Sequence, residues 1–179
     1  MPHAKCFALK HWGPSDRLRL LRLPADCVRL HGWGLAMTLL AWVTAAALVL
    51  VPGRDHSAIA SAIVNAVEKE GCLVTGNDCE RRSAALTLSV GFFESGLRLD
   101  AVGDHGSSLC FLQLKSTDRA LLTDANLCAL EGYRRLRASL QACRGSIAMY
   151  ASGSCTNKAG RHVDATRKNL AARILRGTP

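Results

Sequence analysis

Three side chains in the second half of the chain, an acid, an amide and a phenol, are candidates for chemistry. Glu94 ends an apolar segment in the stretch FFESGLRLDAVGDHGSSLCFLQL, Gln113 returns inside the next apolar run, and Tyr150 follows later. A carboxyl group beside Phe92 and Phe93 is poorly hydrated, and desolvation favours the protonated form that a general acid requires. We therefore interpret Glu94 as a candidate proton donor, with a solvated carboxylate at a helix end as the alternative.

Mostly helical elements must position these side chains. Apolar residues at helical spacing predict helices over 55–70 and 79–93, a third helix from Asp124 to near Gly145, a short helical turn over 146–150 and a last helix over 164–176. Glu94 then lies in the last turn of the second helix. The loop that follows, over 97–109, is rich in glycine and aspartate, which predicts a loop or a short hairpin.

Helix caps and core-facing residues follow from the same pattern. We expect Asp55 or Ser57 to cap the first of these helices, because short polar side chains accept hydrogen bonds from free N–H groups at helix starts. Asp78 and Asp124 are expected to cap the second and third. The apolar residues expected to face the core include Phe93, Leu127 and Leu175.

An uncharged apolar segment, residues 32–52, precedes these helices. As a helix it would be roughly 30 Å long, the thickness of a bilayer's hydrocarbon core. Six Lys or Arg and two acids precede it, so the positive-inside rule predicts that residues 1–31 are cytoplasmic and residues 54–179 are exported. We favour a retained transmembrane anchor. The alternatives are a buried core helix, or a signal segment translated from Met37 and cleaved near residues 58–62.

Six of the eight cysteines follow the apolar segment, an even number that suits an oxidising compartment. They are Cys72, Cys79, Cys110, Cys128, Cys143 and Cys155. We expect three disulfides, and proximity along the chain favours two local pairs, Cys72–Cys79 and Cys143–Cys155. No C-x2-C spacing and no accompanying histidine pair occurs, so no metal site is expected.

The chain carries a formal net charge of +9, and a basic exported domain suits a polyanionic envelope surface. Nucleic acid is the usual partner of so basic a protein. Three features argue against a nucleic-acid partner. They are the predicted export, an aromatic content of only 5% for base stacking, and the lack of a recognised binding motif. We expect no nucleic-acid partner and no cofactor.

Glu94 belongs to the first of three short motifs. They are Glu94-Ser95, Cys110-Phe111-Leu112-Gln113 and Tyr150-Ala151-Ser152-Gly153. In order and approximate spacing they resemble the signatures of lytic transglycosylases of the soluble-transglycosylase and goose-type lysozyme group. The resemblance covers about residues 55–176. It implies a lysozyme-like α+β domain, mostly helical, with a loop or small hairpin beside the cleft.

The resemblance also implies roles for the matching residues. Glu94 would be the catalytic acid and base, while Ser95, Gln113 and Tyr150 would support the site and bind substrate. The implied reaction breaks the β-1,4 bond between N-acetylmuramic acid and N-acetylglucosamine and leaves a 1,6-anhydromuramyl end. Taken alone, Gln113 is equally interpreted as a surface or backbone-capping amide, and Tyr150 as a core residue.

Two positions depart from the family's motifs. Cys110 replaces a glycine, and Ala151 replaces an asparagine that helps to position substrate. One alternative is therefore an inactive lysozyme-like module that binds peptidoglycan, and another is a disulfide-rich adaptor. A third is a hydrolytic muramidase, in which Asp100 or Asp104 would act as the second carboxylate. His105, in the same loop, is expected to face solvent.

Together these features predict a single-pass protein of the bacterial inner membrane. Its N-terminus would be cytoplasmic and its catalytic domain periplasmic, or secreted if the signal is cleaved. The expected partners are peptidoglycan glycan strands and, through residues 32–52, the inner membrane. A secretion or envelope complex is a further partner that the sequence leaves open.

Overall fold

The structure, a computed structural model, describes residues 37–177 as six α-helices, two short 3-10 helices (Asp104–Gly106 and Arg119–Leu122) and one small sheet of three short strands. The helices are α1 (Leu39–Leu50), α2 (Ser57–Glu70), α3 (Cys79–Ser95), α4 (Ala125–Ala142), α5 (Ala148–Ser152) and α6 (Lys158–Leu175). The strands are β1 (Val102–Gly103), β2 (Ser108–Leu109) and β3 (Leu114–Lys115). The prediction of a mostly helical domain with a small hairpin is confirmed. The predicted cytoplasmic tail, residues 1–31, lies outside the described residues.

α1 comes from the middle of the apolar segment predicted over residues 32–52, and one face of it contributes to the core. Val43 and Ala47 are completely buried, and α1 packs on α2 and α3. Residues 32–36 lie outside the described part of the chain. Within residues 37–177, no helix has both the length and the apolar character needed to cross a bilayer.

α2 begins at Ser57, and the predicted cap by Asp55 or Ser57 is wrong, because His56 occupies the N-cap position and no side chain caps the helix. Asp55 Oδ1 accepts a hydrogen bond from the backbone N–H of Ser57 at 2.8 Å. Nε2 of His56 lies 2.9 Å from the carbonyl oxygen of Val51, which links the start of α2 to the end of α1. The helix ends at Gly71 as predicted and packs along α4.

α3 runs through the centre of the domain, and residues 83–91 are all buried. Asp78 occupies the predicted N-cap position, but its side chain makes no capping hydrogen bond. The backbone of Asp78 is in the left-handed region, with φ of 57°, and its carboxylate lies 3.9 Å from Arg81 instead. The helix ends where predicted, since Gly96 follows its last residue with φ of 63°.

α4 begins and ends close to its prediction. Oδ1 of Asp124 accepts from the backbone N–H of Leu127 at 3.0 Å, so the predicted cap is confirmed. The helix ends at Ala142, shortly before Gly145. α5 forms the predicted short helix, shifted by two residues toward the C-terminus.

α6 begins earlier than predicted, because Asn157 caps it. Oδ1 of Asn157 accepts from the backbone N–H of Ala159 at 2.8 Å. Asp164, the residue at which the helix was predicted to begin, lies in its interior. Its Oδ1 accepts from the backbone N–H of Ile147 at 2.8 Å, so this carboxylate joins α6 to the start of α5.

Three apolar side chains that were predicted to face the core are exposed instead. They are Phe93 (43% exposed), Leu127 (36%) and Leu175 (37%). Each lies in the first or last turn of its helix, where packing against neighbouring elements ends. Helical spacing gives the face of a helix but not how far along that face the neighbours extend.

Three disulfides are present, as the cysteine count predicts. The two local pairs are confirmed, namely Cys72–Cys79 and Cys143–Cys155. The third disulfide joins Cys110, after β2, to Cys128 in α4, with a Cα–Cα distance of 6.3 Å. It therefore ties the turn after β2 to α4.

The sheet is antiparallel, with the strands in the order β1-β2-β3. Leu109 pairs with Val102 on one side and with Leu114 on the other. This arrangement brings the second motif close to the first.

Candidate functional site

A groove of about 760 Å³ lies beside the C-terminal end of α3. Glu94 from α3, Gln113 from the β2–β3 turn and Tyr150 from α5 all line it. Three side chains predicted from separate motifs therefore meet at one groove. Ala151, at the position of the family's asparagine, lines it as well.

Glu94 is held in the last turn of α3 by an ion pair rather than by an apolar pocket. Its side chain is 22% exposed, and Oε1 accepts a hydrogen bond from Nη2 of Arg167 at 2.8 Å. Phe92 and Phe93 pack edge to face, but Phe93 is partly exposed. The predicted apolar shield is thus incomplete, and the nearest polar partner of the carboxylate is a cation.

Arg167 is the site residue that the sequence analysis missed. It lies on α6, its side chain is 11% exposed, and its guanidinium carbon lies 5.2 Å from the centre of the Phe93 ring. A signal was available, because Arg167 is spaced three and seven residues before Leu170 and Ile174 on the buried face of α6. A cation in such an apolar stripe needs a buried partner.

Ser95 connects the end of α3 to the second motif. Its Oγ lies 3.0 Å from the carbonyl oxygen of Phe111 and 3.2 Å from that of Gly91, and it accepts from the backbone N–H of Arg98 at 3.0 Å. Ser95 is not among the residues that line the groove. Its hydroxyl therefore supports the site by hydrogen bonds to the backbone and not as part of the groove's lining.

Gln113 closes a tight turn that begins at Cys110. Both its backbone N–H and its side-chain Nε2 donate to the carbonyl oxygen of Cys110, at 3.1 and 3.0 Å. Cys110 itself has φ of 64°, a left-handed conformation that a glycine adopts without strain. At the position where the resembled family has glycine, the disulfide to Cys128 holds this conformation in place.

Gly103 leaves room for the Gln113 side chain. A Cβ atom at position 103 would collide with Oε1 of Gln113. The backbone of Gly103 is extended, so the requirement at this position is for space and not for a special backbone angle. The amide of Gln113 is thereby held between Gly103 and its own turn, with its edge at the groove.

Tyr150 is fixed by hydrogen bonds at both ends. Its hydroxyl donates to the carbonyl oxygen of Leu112 at 2.5 Å, and its backbone N–H donates to Oγ of Ser139 at 3.0 Å. Burial raises the pKa of Tyr150 far above its usual value, and the negative charge of Glu94 raises it further. The phenol therefore stays protonated and links α5 to the turn that carries Gln113.

The acidic loop beside the sheet contributes one of its two aspartates to the groove. Asp104 lines the groove and its Oδ2 accepts from Oγ of Ser108 at 2.6 Å. Asp100 is exposed and does not line it. His105 is exposed, as predicted, and borders a separate shallow depression.

Two further cations, Lys115 of β3 and Arg135 of α4, line the groove. Arg135 is partly neutralised, because its Nε lies 2.9 Å from a carboxylate oxygen of Glu131. Its Nη1 also donates to the carbonyl oxygen of Lys115 at 3.1 Å. Over the described residues, no group of three His, Cys, Asp or Glu side chains is placed to hold a metal ion.

The site thus offers one carboxylate paired with an arginine, one amide, one protonated phenol and a nearby aspartate. This set can donate and accept protons and can bind the hydroxyl and amide groups of a polar ligand. Comparisons of the chain with models of protein families, with curated proteins and with solved structures give no match.

Proposed function

We propose that the protein is a lytic transglycosylase that cleaves peptidoglycan between N-acetylmuramic acid and N-acetylglucosamine. The observation that carries the proposal is the meeting of Glu94, Gln113 and Tyr150 at one groove, although 56 positions of sequence separate the first from the last. Short motifs that match a family by chance have no reason to converge in space.

In the proposed reaction, Glu94 serves first as an acid and then as a base. The carboxyl group gives its proton to the glycosidic oxygen, and the bond from the muramyl C1 to that oxygen breaks. The carboxylate then takes the proton of the muramyl C6 hydroxyl, and the oxygen of that hydroxyl forms a bond to C1. No water is consumed, and the carboxyl group is restored. Gln113 would bind the sugar's polar groups, and Tyr150 would hold the turn that presents this amide.

The location and partners predicted from the sequence belong to the same proposal. A basic chain with three disulfides suits the envelope of a bacterium, outside the cytoplasm. Peptidoglycan strands are the proposed substrate there, and the inner membrane is a proposed partner.

The test is digestion of purified sacculi by the full chain, with mass spectrometry of the released muropeptides. We expect 1,6-anhydromuramyl ends from the parent protein. Glu94→Gln keeps the shape of the side chain but removes its acid function, so the rate should fall by about 10²- to 10⁴-fold. Glu68→Gln is the matched control, because Glu68 is exposed on α2 and does not line the groove. Equal cleavage by the parent and Glu94→Gln would refute the proposal.

A hydrolytic muramidase is the second candidate, and the position of Asp104 favours it. This carboxylate lines the same groove as Glu94 and could hold a water molecule or stabilise positive charge on the sugar. The same mass spectra separate the two reactions, because hydrolysis leaves reducing ends and no anhydro ends. Loss of the reducing-end products in Asp104→Asn would assign the water-directed reaction to Asp104.

A further inference from the structure

A second depression in the domain, of about 340 Å³, shares no lining residue with the groove. The loop over residues 72–75, the start of α3 and the C-terminal half of α4 form most of its wall. Two of its lining residues are arginines, Arg82 and Arg137, and none of the described residues that line it is acidic. The wall therefore carries two positive charges with no negative charge among its own residues.

Arg137, on α4, is half-buried and donates only to neutral oxygens. Its Nη2 donates to the backbone carbonyl oxygens of Glu70 and Gly71, the second at 2.9 Å. The carboxylate of Glu70 pairs with another residue, since it lies 2.9 Å from Nε of Arg134. None of the ion pairs within residues 37–177 includes Arg137, and its Nε is buried without a hydrogen-bond partner there. A half-buried cation without an anion is unfavourable, so a bound anion would stabilise the protein at this position.

Arg82, near the start of α3, is held against the loop on the other side of the depression. Its Nη1 donates to the carbonyl oxygen of Thr75 at 2.8 Å. Gly76, with φ of 106°, leaves space for this contact, because a Cβ atom there would lie 2.9 Å from the same nitrogen. The Cys72–Cys79 disulfide closes the loop. The guanidinium is thus placed by a neutral backbone group, and no ion pair within the described residues includes it.

Both guanidinium groups keep N–H donors that the fold does not use. Nη2 of Arg82 and Nη1 of Arg137 make no hydrogen bond within residues 37–177. Guanidinium groups bind the oxygens of phosphate and carboxylate groups in pairs. A phosphate group presents more acceptor oxygens than a carboxylate and carries up to two negative charges, so it matches two guanidinium groups better.

We propose that Arg82 and Arg137 form an anion site that binds a phosphate group. Gln141 and Thr75 add neutral polar groups to the same wall. The site is separate from the groove, and the inference does not depend on the proposed cleavage of glycan.

The phosphate group has two sources, free phosphate and the headgroup of an anionic lipid. The start of α3 contacts the first described residue, because Nη2 of Arg81 donates to the carbonyl oxygen of Met37 at 3.2 Å. Met37 belongs to the uncharged segment over residues 32–52. A lipid headgroup is therefore tested beside free phosphate.

The first test titrates inorganic phosphate into the full-length protein at constant ionic strength and follows the backbone amides of residues 72–75 by proton–nitrogen NMR. We expect saturable shifts in the parent. Arg82→Gln and Arg137→Gln should each weaken binding by about tenfold or more, the effect of losing a hydrogen bond to a charged group. Arg161→Gln removes the same charge from an exposed position on α6 and should bind as the parent does.

Two outcomes of this titration would overturn the inference. One is the absence of saturable shifts, or their persistence at full affinity in Arg82→Gln. The other is an equal response to acetate, which would show that the site does not select phosphate. Arg137→Gln also loses its bonds to the end of α2, so Arg82→Gln, at an exposed position, decides alone where Arg137→Gln does not fold.

The second test separates the two sources by flotation of the same proteins with vesicles of phosphatidylcholine, with and without phosphatidylglycerol. Binding to the phosphatidylglycerol vesicles that falls about tenfold in Arg82→Gln but not in Arg161→Gln would assign the site to a lipid headgroup. Equal vesicle binding by these variants, together with saturable shifts from inorganic phosphate, would assign it to free phosphate. Neither test uses glycan, so failure of this inference leaves the proposed cleavage of peptidoglycan unaffected.

Discussion

Cys110 and Gln113 both have left-handed backbone conformations, with φ of 64° and 48°. Such angles are unfavourable for residues other than glycine by roughly 1 kcal/mol or more each, so the surroundings must enforce them. The disulfide to Cys128 and two bonds from Gln113 to one carbonyl oxygen supply that enforcement. The strained turn is what directs the amide of Gln113 toward the groove.

The two tyrosines of the chain should both resist ionisation in the folded protein. Burial raises the pKa of Tyr133 and that of Tyr150 above their usual values. A raised pKa in the folded state means that the stability contributed by the neutral phenol is complete below the unfolded value of about 10 and is lost as the pH rises above it. Ultraviolet absorbance of tyrosinate should therefore appear at higher pH in the native protein than in guanidinium.

Replacing Tyr150 by Phe leaves Tyr133 as the remaining tyrosine and separates the two titrations. The later transition should disappear in this variant, because the pKa of Tyr150 is the more strongly raised. Native tyrosinate absorbance that develops near pH 10, as in guanidinium, would show that these phenols are not buried in solution.

The sequence predicted three residues of the site but not Arg167, and the reason for this difference is physical. Glu94 stood out as a carboxyl group beside two phenylalanines, whereas Gln113 and Tyr150 were identified only by their places in the three motifs. Arg167 was missed, although a cation on the apolar face of α6 is equally unusual. Its partner lies on another helix, and nothing in the sequence near Arg167 identifies which carboxylate it meets.

At the scale of elements, the Cys110–Cys128 disulfide joins the small sheet to α4 and closes the longest of the three disulfide loops. In the chain-entropy model, an 18-residue loop corresponds to about 3 kcal/mol of stabilisation. Replacing both cysteines by serine should lower the free energy of unfolding by about that amount. Urea unfolding followed by circular dichroism measures the loss.

The matched control is the double substitution Cys72→Ser and Cys79→Ser. That disulfide closes a loop of seven residues, for which the same model gives about 2 kcal/mol. Activity should fall further in the Cys110 and Cys128 variant than in the control, because the turn that holds Gln113 loses its tether. Equal stability and activity in the two variants would argue against this role of the third disulfide.

Helix positions were predictable from the spacing of apolar residues, whereas several helix starts were not. Asp124 caps α4 as predicted, but Asp78 is left-handed and makes no capping bond. α6 begins at Lys158 because the Asn157 side chain caps it by accepting from the backbone N–H of Ala159. The carboxylate of Asp164 accepts from the backbone N–H of Ile147 instead. A capping side chain is recognised by its type, while its availability depends on tertiary contacts.

For the whole molecule, the main structural surprise is that α1 forms part of the core. Val43 is completely buried, whereas Val49 on the same helix is 63% exposed. Val43→Asp would place an unpaired charge in the core and should lower the free energy of unfolding by several kcal/mol. Val49→Asp introduces the same charge at an exposed position and should change it by less than about 0.5 kcal/mol.

Urea unfolding of the two full-length variants measures this difference. A similar, small effect of both substitutions would mean that α1 does not pack on α2 and α3 in solution. The sequence predicted a membrane segment here with a buried core helix as an alternative, because apolar content alone does not distinguish a helix that meets lipid from one that meets its own domain. The effect of Val43→Asp on the free energy of unfolding reports directly on the contact of α1 with its own domain.

Gly103 gives the groove a dependence between two distant positions. Since any side chain at 103 would displace the carboxamide of residue 113, the two sites cannot vary independently. Gly103→Ala should therefore move the carboxamide of Gln113 away from its present position at the groove, whereas the same change beside a shorter residue 113 should disturb nothing there. A single hydrogen atom in place of a methyl group thus decides where this amide lies.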